Sequence, residues 1–311
     1  EIVKWNVEKM PRNRIISIDT SIYEEAGASS VQELAFALAT AIYYLRQLLN
    51  SGWTIEQVAP LLQVKLALGS NFFMEIAKVR ALRLLWAEMI KSFGGEEDKQ
   101  KVWVHGKTAK FNKTIYDIYV NVLRTTTESF AGVIGGVDSL EIGCFNELIA
   151  QPDEFSTRLA RNQQIILKEE AHFDKVIDPA GGCYYIEWLT NEMAKSAWQL
   201  MQEIEGKGGM LEYVTKGEIH QEVETIVRER IEAVNKRKNI FVGINMYANP
   251  EEKLPTLQRD DKPVSKEDKA FILKDGALPK HRAVEEIECL RRQIEASQSN
   301  KKIFLLNLGT L

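Results

Sequence analysis

The sequence predicts an α/β fold, part of a TIM-type parallel barrel, on three observations. Short runs rich in Ile, Val and Leu read as strands buried on both faces, and they alternate with long amphipathic helices. A strand followed by a helix, repeated, requires parallel strands joined by right-handed crossovers. Each repeat takes roughly 35 to 50 residues, which favours enlarged barrel units over a small doubly wound sheet.

The predicted strands are Ile15–Asp19, Lys65–Gly69, Val102–His105, Leu140–Gly143 and Phe241–Asn245. Between them, Ser29 or Ser30 caps a helix running to Leu49, with Leu34, Leu38, Ile42, Leu45 and Leu49 three or four apart. Asn71 caps the next, to Lys91. A third runs from Tyr116 to Ile134 and is closed by Gly135 and Gly136. Phe155–Glu170 and Thr190–Glu205 are further helices, the latter ended by Gly206 and Gly208. These strands are too few to close an eight-stranded barrel, so the pattern gives only part of one.

After Ala248 the character changes. Pro250, Pro255, Pro263 and many charges remove the periodicity up to Asp275, which reads as a linker. A charged helix is expected over His281–Ala296, and Lys301–Leu311 reads as the first strand of another domain. The chain opens without methionine and stops inside that apolar run, so it reads as a piece of a larger subunit.

Composition narrows the function. The 311 residues carry a formal net charge of -4, which argues against broad binding to phosphate backbones. No apolar run approaches the roughly 20 residues needed to span a bilayer, and no signal peptide is visible. Cys144, Cys183 and Cys289 are few, odd in number and far apart. That usage fits a reducing cytoplasm, without a disulfide framework or a zinc site.

Two stretches carry a resemblance. They are Tyr23-Glu-Glu-Ala-Gly-Ala28 and Asn112-Lys-Thr-Ile-Tyr-Asp-Ile-Tyr119. Asn71-Phe-Phe-Met-Glu-Ile-Ala-Lys-Val-Arg-Ala81, Arg158-Leu-Ala-Arg-Asn-Gln163, Asp178-Pro-Ala-Gly-Gly182 and Val242-Gly-Ile-Asn-Met-Tyr247 extend it over Arg14–Tyr247. Together they resemble the barrel of the adenosylcobalamin-dependent acyl-CoA mutases, the methylmalonyl-CoA mutase family. The resemblance implies that residues 1–248 are the second half of that barrel, with the first strands N-terminal to Glu1. Residues 249–298 would then be a linker with a charged helix. Residues 299–311 would start a flavodoxin-like domain.

The departures from the family pattern say which member is resembled. Catalytic chains carry Gly-Tyr-His-Met-Gln where this chain has Thr20-Ser21-Ile22-Tyr23-Glu24. Ile22 stands in place of the histidine, and an isoleucine cannot donate a hydrogen bond to a thioester carbonyl. Catalytic chains also carry His-Cys-Gln-Thr-Ser-Gly-Trp-Ser-Leu-Thr, aligned here with His105-Gly-Lys-Thr-Ala-Lys-Phe-Asn-Lys-Thr114. His105 is kept, Lys107 replaces the glutamine, and the Ser-Gly-Trp core is gone. Lys107, Lys110 and Lys113 are expected on a solvated loop, because unpaired buried charges cost several kcal/mol each. Glu147, in Cys144-Phe-Asn-Glu-Leu148, aligns with the glutamate of the family's Ser-Phe-Asp-Glu-Ala run, a region that lies against the cobalamin in catalytic chains, with Leu148 in place of the small alanine.

The resemblance therefore implies a small, non-catalytic subunit with no catalytic residue of its own. Glu147 and His105 are its degenerate cofactor-facing positions. Adenosylcobalamin, the source of the abstracting radical, would be held by a large catalytic partner in a heterodimer. No Asp-x-His-x-x-Gly cobalt-ligating motif occurs in this sequence. The alternative is a catalytic mutase for another acyl-CoA, with Ile22 and Lys107 as specificity changes. A nucleotide-driven assembly factor would need a Gly-x-x-x-x-Gly-Lys-Ser/Thr loop, which is absent.

Weaker candidates have plainer readings. Asp178-Pro-Ala-Gly-Gly182 reads as a structural turn before an anion nest. His172, Asp174 and Asp178 fit no standard metal-ligand spacing. Glu169 and Glu170 read as a solvated helix face, and Arg158 and Arg161 as ion-pair partners. Trp53, Trp86, Trp188 and Trp198 are expected to pack helices onto the sheet.

Overall fold

A computed structural model describes residues 2–10 and 13–252. They belong to the first of two units, Glu1–Gln258. The expected helix over His281–Ala296 and strand over Lys301–Leu311 lie outside the described residues, as does the linker beyond residue 252.

The chain runs α1 (Ile2–Lys9), β1 (Ile16–Asp19), α2 (Ser21–Glu25), α3 (Ser30–Asn50), α4 (Ile55–Val58), β2 (Leu62–Leu68) and α5 (Phe72–Ser92). It continues through β3 (Trp103–Thr108), α6 (Val120–Gly135), β4 (Ser139–Glu141), α7 (Glu154–Ile165), α8 (Tyr184–Gly206), α9 (Met210–Thr215) and α10 (Glu218–Asn235). The four strands form one parallel sheet in the order β1-β2-β3-β4. Strand order equals chain order, the singly wound arrangement of a barrel rather than of a doubly wound sheet.

The helix signals act through identifiable bonds. The Gln32 amide donates to Ser29 Oγ while the Ser29 amide donates to Gln32 Oε1, a reciprocal cap that starts α3. Asp153 Oδ1 accepts from the Ser156 amide at 2.6 Å and starts α7. Gly136 ends α6 with φ near +83°, a left-handed conformation that costs glycine nothing. Asn71 holds the N-cap position of α5, but its side chain makes no capping bond.

Side chains alternate across the sheet. Ile18, Val64, Leu66, Leu68 and Val104 point to the helix side and are buried with Leu34, Leu38, Leu45, Leu82 and Trp86. There α3, α5 and α8 pack against one another over the strands. Gly106 and Gly132 let α6 approach β3, since a Cβ at either would lie within 3 Å of Leu68 Cδ1. The pairing Lys65↔His105↔Ser139 and Ala67↔Lys107↔Glu141 sets the opposite, polar row.

Several expectations need correction. Phe241–Asn245 is not a strand. The Asn245 side chain closes it into a turn, accepting from the Phe241 amide at 2.8 Å and donating to Asn239 O at 2.7 Å, and Gly243 takes φ +85°. Helix α6 starts at Val120 rather than Tyr116, because Asp117 adopts φ +46°. Helix α8 starts at Tyr184, earlier than its apolar periodicity indicated. Trp188 is exposed rather than packed, while Trp86 is fully buried.

Candidate functional site

Asp19, Lys107 and Glu141 stand at or beside the carboxyl ends of β1, β3 and β4. The strand-end turn after β1 carries the first predicted position. Ser21 donates to Asp19 Oδ1, which opens α2 and turns Ile22 outward, 56% exposed. No hydrogen-bonding side chain stands at that point.

Beneath the turn lies a buried ionic network that the sequence reading missed. Lys78 Nζ donates to Glu33 Oε2 and Ala67 O, both at 2.7 Å, and lies 2.6 Å from Glu75 Oε2. Glu33 Oε1 accepts from the Ala67 amide at 2.8 Å and from the Thr20 hydroxyl at 3.3 Å. Burial alone would lower the Lys78 pKa, but the Glu33 and Glu75 carboxylates raise it. Glu24 joins as a third buried carboxylate with Oε2 unpartnered. Burial drives its pKa up to about 8, with Lys78 opposing and Glu33 and Glu75 reinforcing. One signal was available: Glu33 and Lys78 each fall on the apolar stripe of their helix, four before Ala37 and Leu82.

His105 and Lys107 sit on β3 itself, on the polar face. His105 Nδ1 is 2.8 Å from Ser139 Oγ, and its Nε2 is 3.5 Å from Glu141 Oε2. Lys107 Nζ is 3.2 Å from Glu141 Oε1. Glu141 is drawn down to about 2, first by the His105 hydrogen bond and against burial, then by Lys107. One pair further across the sheet, Lys65 meets Asp19 at 2.9 Å. The face is a ladder of matched charges.

The solvated lysine loop is corrected. Lys113 is buried, with Nζ 2.5 Å from Glu128 Oε2 and 2.7 Å from Ala109 O, and both side chains of the pair are 0% exposed. Lys107 is half-buried on Glu141, and Lys110 reaches Glu25 at 3.6 Å. A carboxylate partner for each ammonium offsets the burial cost that argued for solvent.

Glu147 follows β4 in the turn that begins at Gly143, whose amide donates to Thr108 Oγ1 at 2.8 Å. Its carboxyl packs against Gly143 Cα so closely that a Cβ there would fall 2.4 Å from Oε1. Burial raises the Glu147 pKa, and Lys110, Lys113 and Lys107 pull the other way. The structure thus brings Lys107 and Glu147 to one strand-end region and leaves Ile22 facing out.

The remaining candidates separate. Asp178 and Glu187 both pair with Arg80, which fixes the Asp178–Gly182 segment as a structural turn. Asp174 pairs with Lys175, so His172, Asp174 and Asp178 do not converge. Arg158 and Arg161 are exposed and make no ion pair among the described residues, against expectation. No helix among the described residues is long and apolar enough to cross a membrane.

A parallel α/β sheet with its polar groups at the carboxyl strand ends has the plan of part of an α/β-barrel enzyme domain. The sequence profile of methylmalonyl-CoA mutase matches residues 1–301, and the chain belongs to the methylmalonyl-CoA mutase family. It is 37% identical to the methylmalonyl-CoA mutase small subunit of Porphyromonas gingivalis, over 97% of this chain and 49% of that protein. It is 36% identical to the large subunit of the same organism, over 96% of this chain and 42% of that protein. The methylmalonyl-CoA mutase of Rhizobium meliloti is 39% identical over 84% of this chain and 37% of its own length. The chain thus spans half or less of these relatives. Its identity to the two Porphyromonas subunits is nearly equal, so identity alone does not separate them.

Proposed function

We propose that this chain is part of the small, non-catalytic subunit of a heterodimeric methylmalonyl-CoA mutase, an isomerase of the cytoplasm. The holoenzyme would interconvert succinyl-CoA and (R)-methylmalonyl-CoA, and this chain would support a large catalytic partner. Residues 1–248 would be the second half of the barrel, 249–298 a linker, and 299–311 the start of a flavodoxin-like domain.

One observation carries the reading. At the end of β1, where catalytic relatives place a hydrogen-bond donor, this chain presents the exposed hydrocarbon of Ile22. Lys107, at the glutamine position, is committed to Glu141.

The same residues argue against adenosylcobalamin here. A corrin presents a broad macrocycle face rimmed by neutral amide side chains, with no carboxylate or ammonium to pair a charged side chain. The strand ends instead hold the charged pairs Lys107 with Glu141 and Lys110 with Glu25. These groups do not fit it, and His105 and Glu147 are degenerate positions under this proposal. The cofactor, which supplies the radical when bound, belongs to the partner.

Light scattering on the full-length subunit, alone and mixed with a large catalytic chain from the same source, tests this. A stable one-to-one species is expected. Self-association without a hetero-complex, accompanied by acyl-CoA binding, would overturn it in favour of an independent mutase for another acyl-CoA.

A further inference from the structure

Six aromatic rings stand in a row across the first turns of α8 and α5 and the side of α6. Trp188 stacks on Tyr185 with centroids 6.3 Å apart, and Tyr185 meets Phe73 edge-on at 5.7 Å. Phe73 meets Phe72 at 5.4 Å, Phe72 meets Phe130 at 5.1 Å, and Phe130 stacks on Phe173 at 4.5 Å. Phe72 packs against the buried cluster of Ile76, Ala131, Ala180 and Ile186, which anchors the row in the core. The outer rings face solvent: Phe73, Tyr185, Trp188 and Tyr184 are between 48% and 94% exposed. Val176 and Ile177, just past Phe173, are exposed as well.

This surface has the size and the place of an interface. At ~200 Å² per aromatic side chain, the four exposed rings present roughly 500 Å². That is the upper range of the largest apolar patch on a typical monomer, about 300–600 Å². Val176 and Ile177 bring it toward the ~800 Å² that one partner buries in a stable complex. The exposed rings sit on α5 and α8, and α5 joins β2 to β3, the central pair of the sheet. A closing barrel adds its other strands at the free edges of β1 and β4, away from this face. At the rim, Asp178 and Glu187 share the one guanidinium of Arg80, which leaves an excess negative charge beside Trp188.

We propose that this aromatic face is the docking surface for the large catalytic chain. That chain would cover it with an apolar surface flanked by lysine or arginine. The assignment rests on the subunit role proposed above. Rings already held by one another lose little side-chain freedom on binding, and exposed Trp and Tyr side chains are the usual anchors of a protein interface.

The test uses the full-length subunit with a large catalytic chain from the same source. Trp188→Ala and Tyr185→Ala are each expected to weaken the complex about 30-fold, measured by calorimetric titration. Leu211→Ala, which removes an exposed apolar side chain on α9, should change it by less than about twofold. Hydroxyl-radical footprinting of the unaltered subunit should find Tyr184, Tyr185 and Trp188 reactive alone and protected in the complex. A complex that forms with full affinity in both ring variants would overturn this surface and leave the subunit role standing. An equal loss in Leu211→Ala would do the same. Protection already present in the subunit alone would mean that its own chain or a second copy covers the face, and would also overturn the proposal. No complex with the unaltered subunit would overturn the subunit role and this surface together.

Discussion

Lys78 Nζ lies 2.7 Å from Glu33 Oε2, and both side chains are completely shut off from solvent. The pair joins α5 to α3 at the end of β2, where the Ala67 amide and carbonyl complete its hydrogen bonds. Removing one partner leaves a buried charge uncompensated. Lys78→Met is therefore expected to destabilise the chain by about 3–5 kcal/mol, read from the urea midpoint. Loss of less than about 1 kcal/mol would mean that water reaches Glu33.

Lys113 and Glu128 form a second sealed pair, linking the segment after β3 to α6. Lys113→Met alone should cost about 3–5 kcal/mol, whereas Lys113→Met with Glu128→Leu should recover most of it, because no lone charge remains. Additive losses in the double-mutant cycle would contradict a directly coupled pair.

Glu24 gives a pH dependence of defined sign. Its folded pKa, about 8, stands above the ordinary carboxylate value near 4.5, so the folded state holds its proton more tightly. Its contribution is fully present below about pH 4.5 and is lost as pH rises through 8. Glu24→Gln keeps the neutral form at all pH. It is expected to raise stability at pH 9 by about 1–3 kcal/mol and to flatten the decline between pH 5 and 8. Thermal melts across that range check it, and an unchanged slope would count against a buried, protonated Glu24.

Ile22→His tests whether one residue separates this chain from catalysis. No isomerisation of methylmalonyl-CoA is expected from the variant, alone or with cobalamin, because Lys107, Glu141 and Glu147 still occupy the strand ends. Measurable turnover would show a site one substitution from function.

Gly132→Ala tests the close contact of α6 with the sheet. The new methyl would meet Leu68 Cδ1 at 2.5 Å, and a loss of about 1–3 kcal/mol is expected from overpacking. Pairing it with Leu68→Ala should relieve part of that loss, and equal losses in both backgrounds would place the strain elsewhere.

The sequence by itself determined the α/β alternation, the helices α3 and α5, a serine cap at Ser29 or Ser30 and the parallel direction of the strands. Those depend on local periodicity and end signals, which neighbouring residues alone can state. It also located the family through motifs spread over most of the chain. Tertiary structure decided the rest. Phe241–Asn245 has a strand's composition, yet the Asn245 side chain satisfies its backbone as a turn. Lys113 looks like a surface lysine until Glu128, one helix away, meets it in the interior. Ser139 and Glu141 become neighbours of His105 only through the β3–β4 register. Whether a charge is buried or solvated, and which groups share a proton, depends on partners distant in sequence, and only the packed fold brings those together.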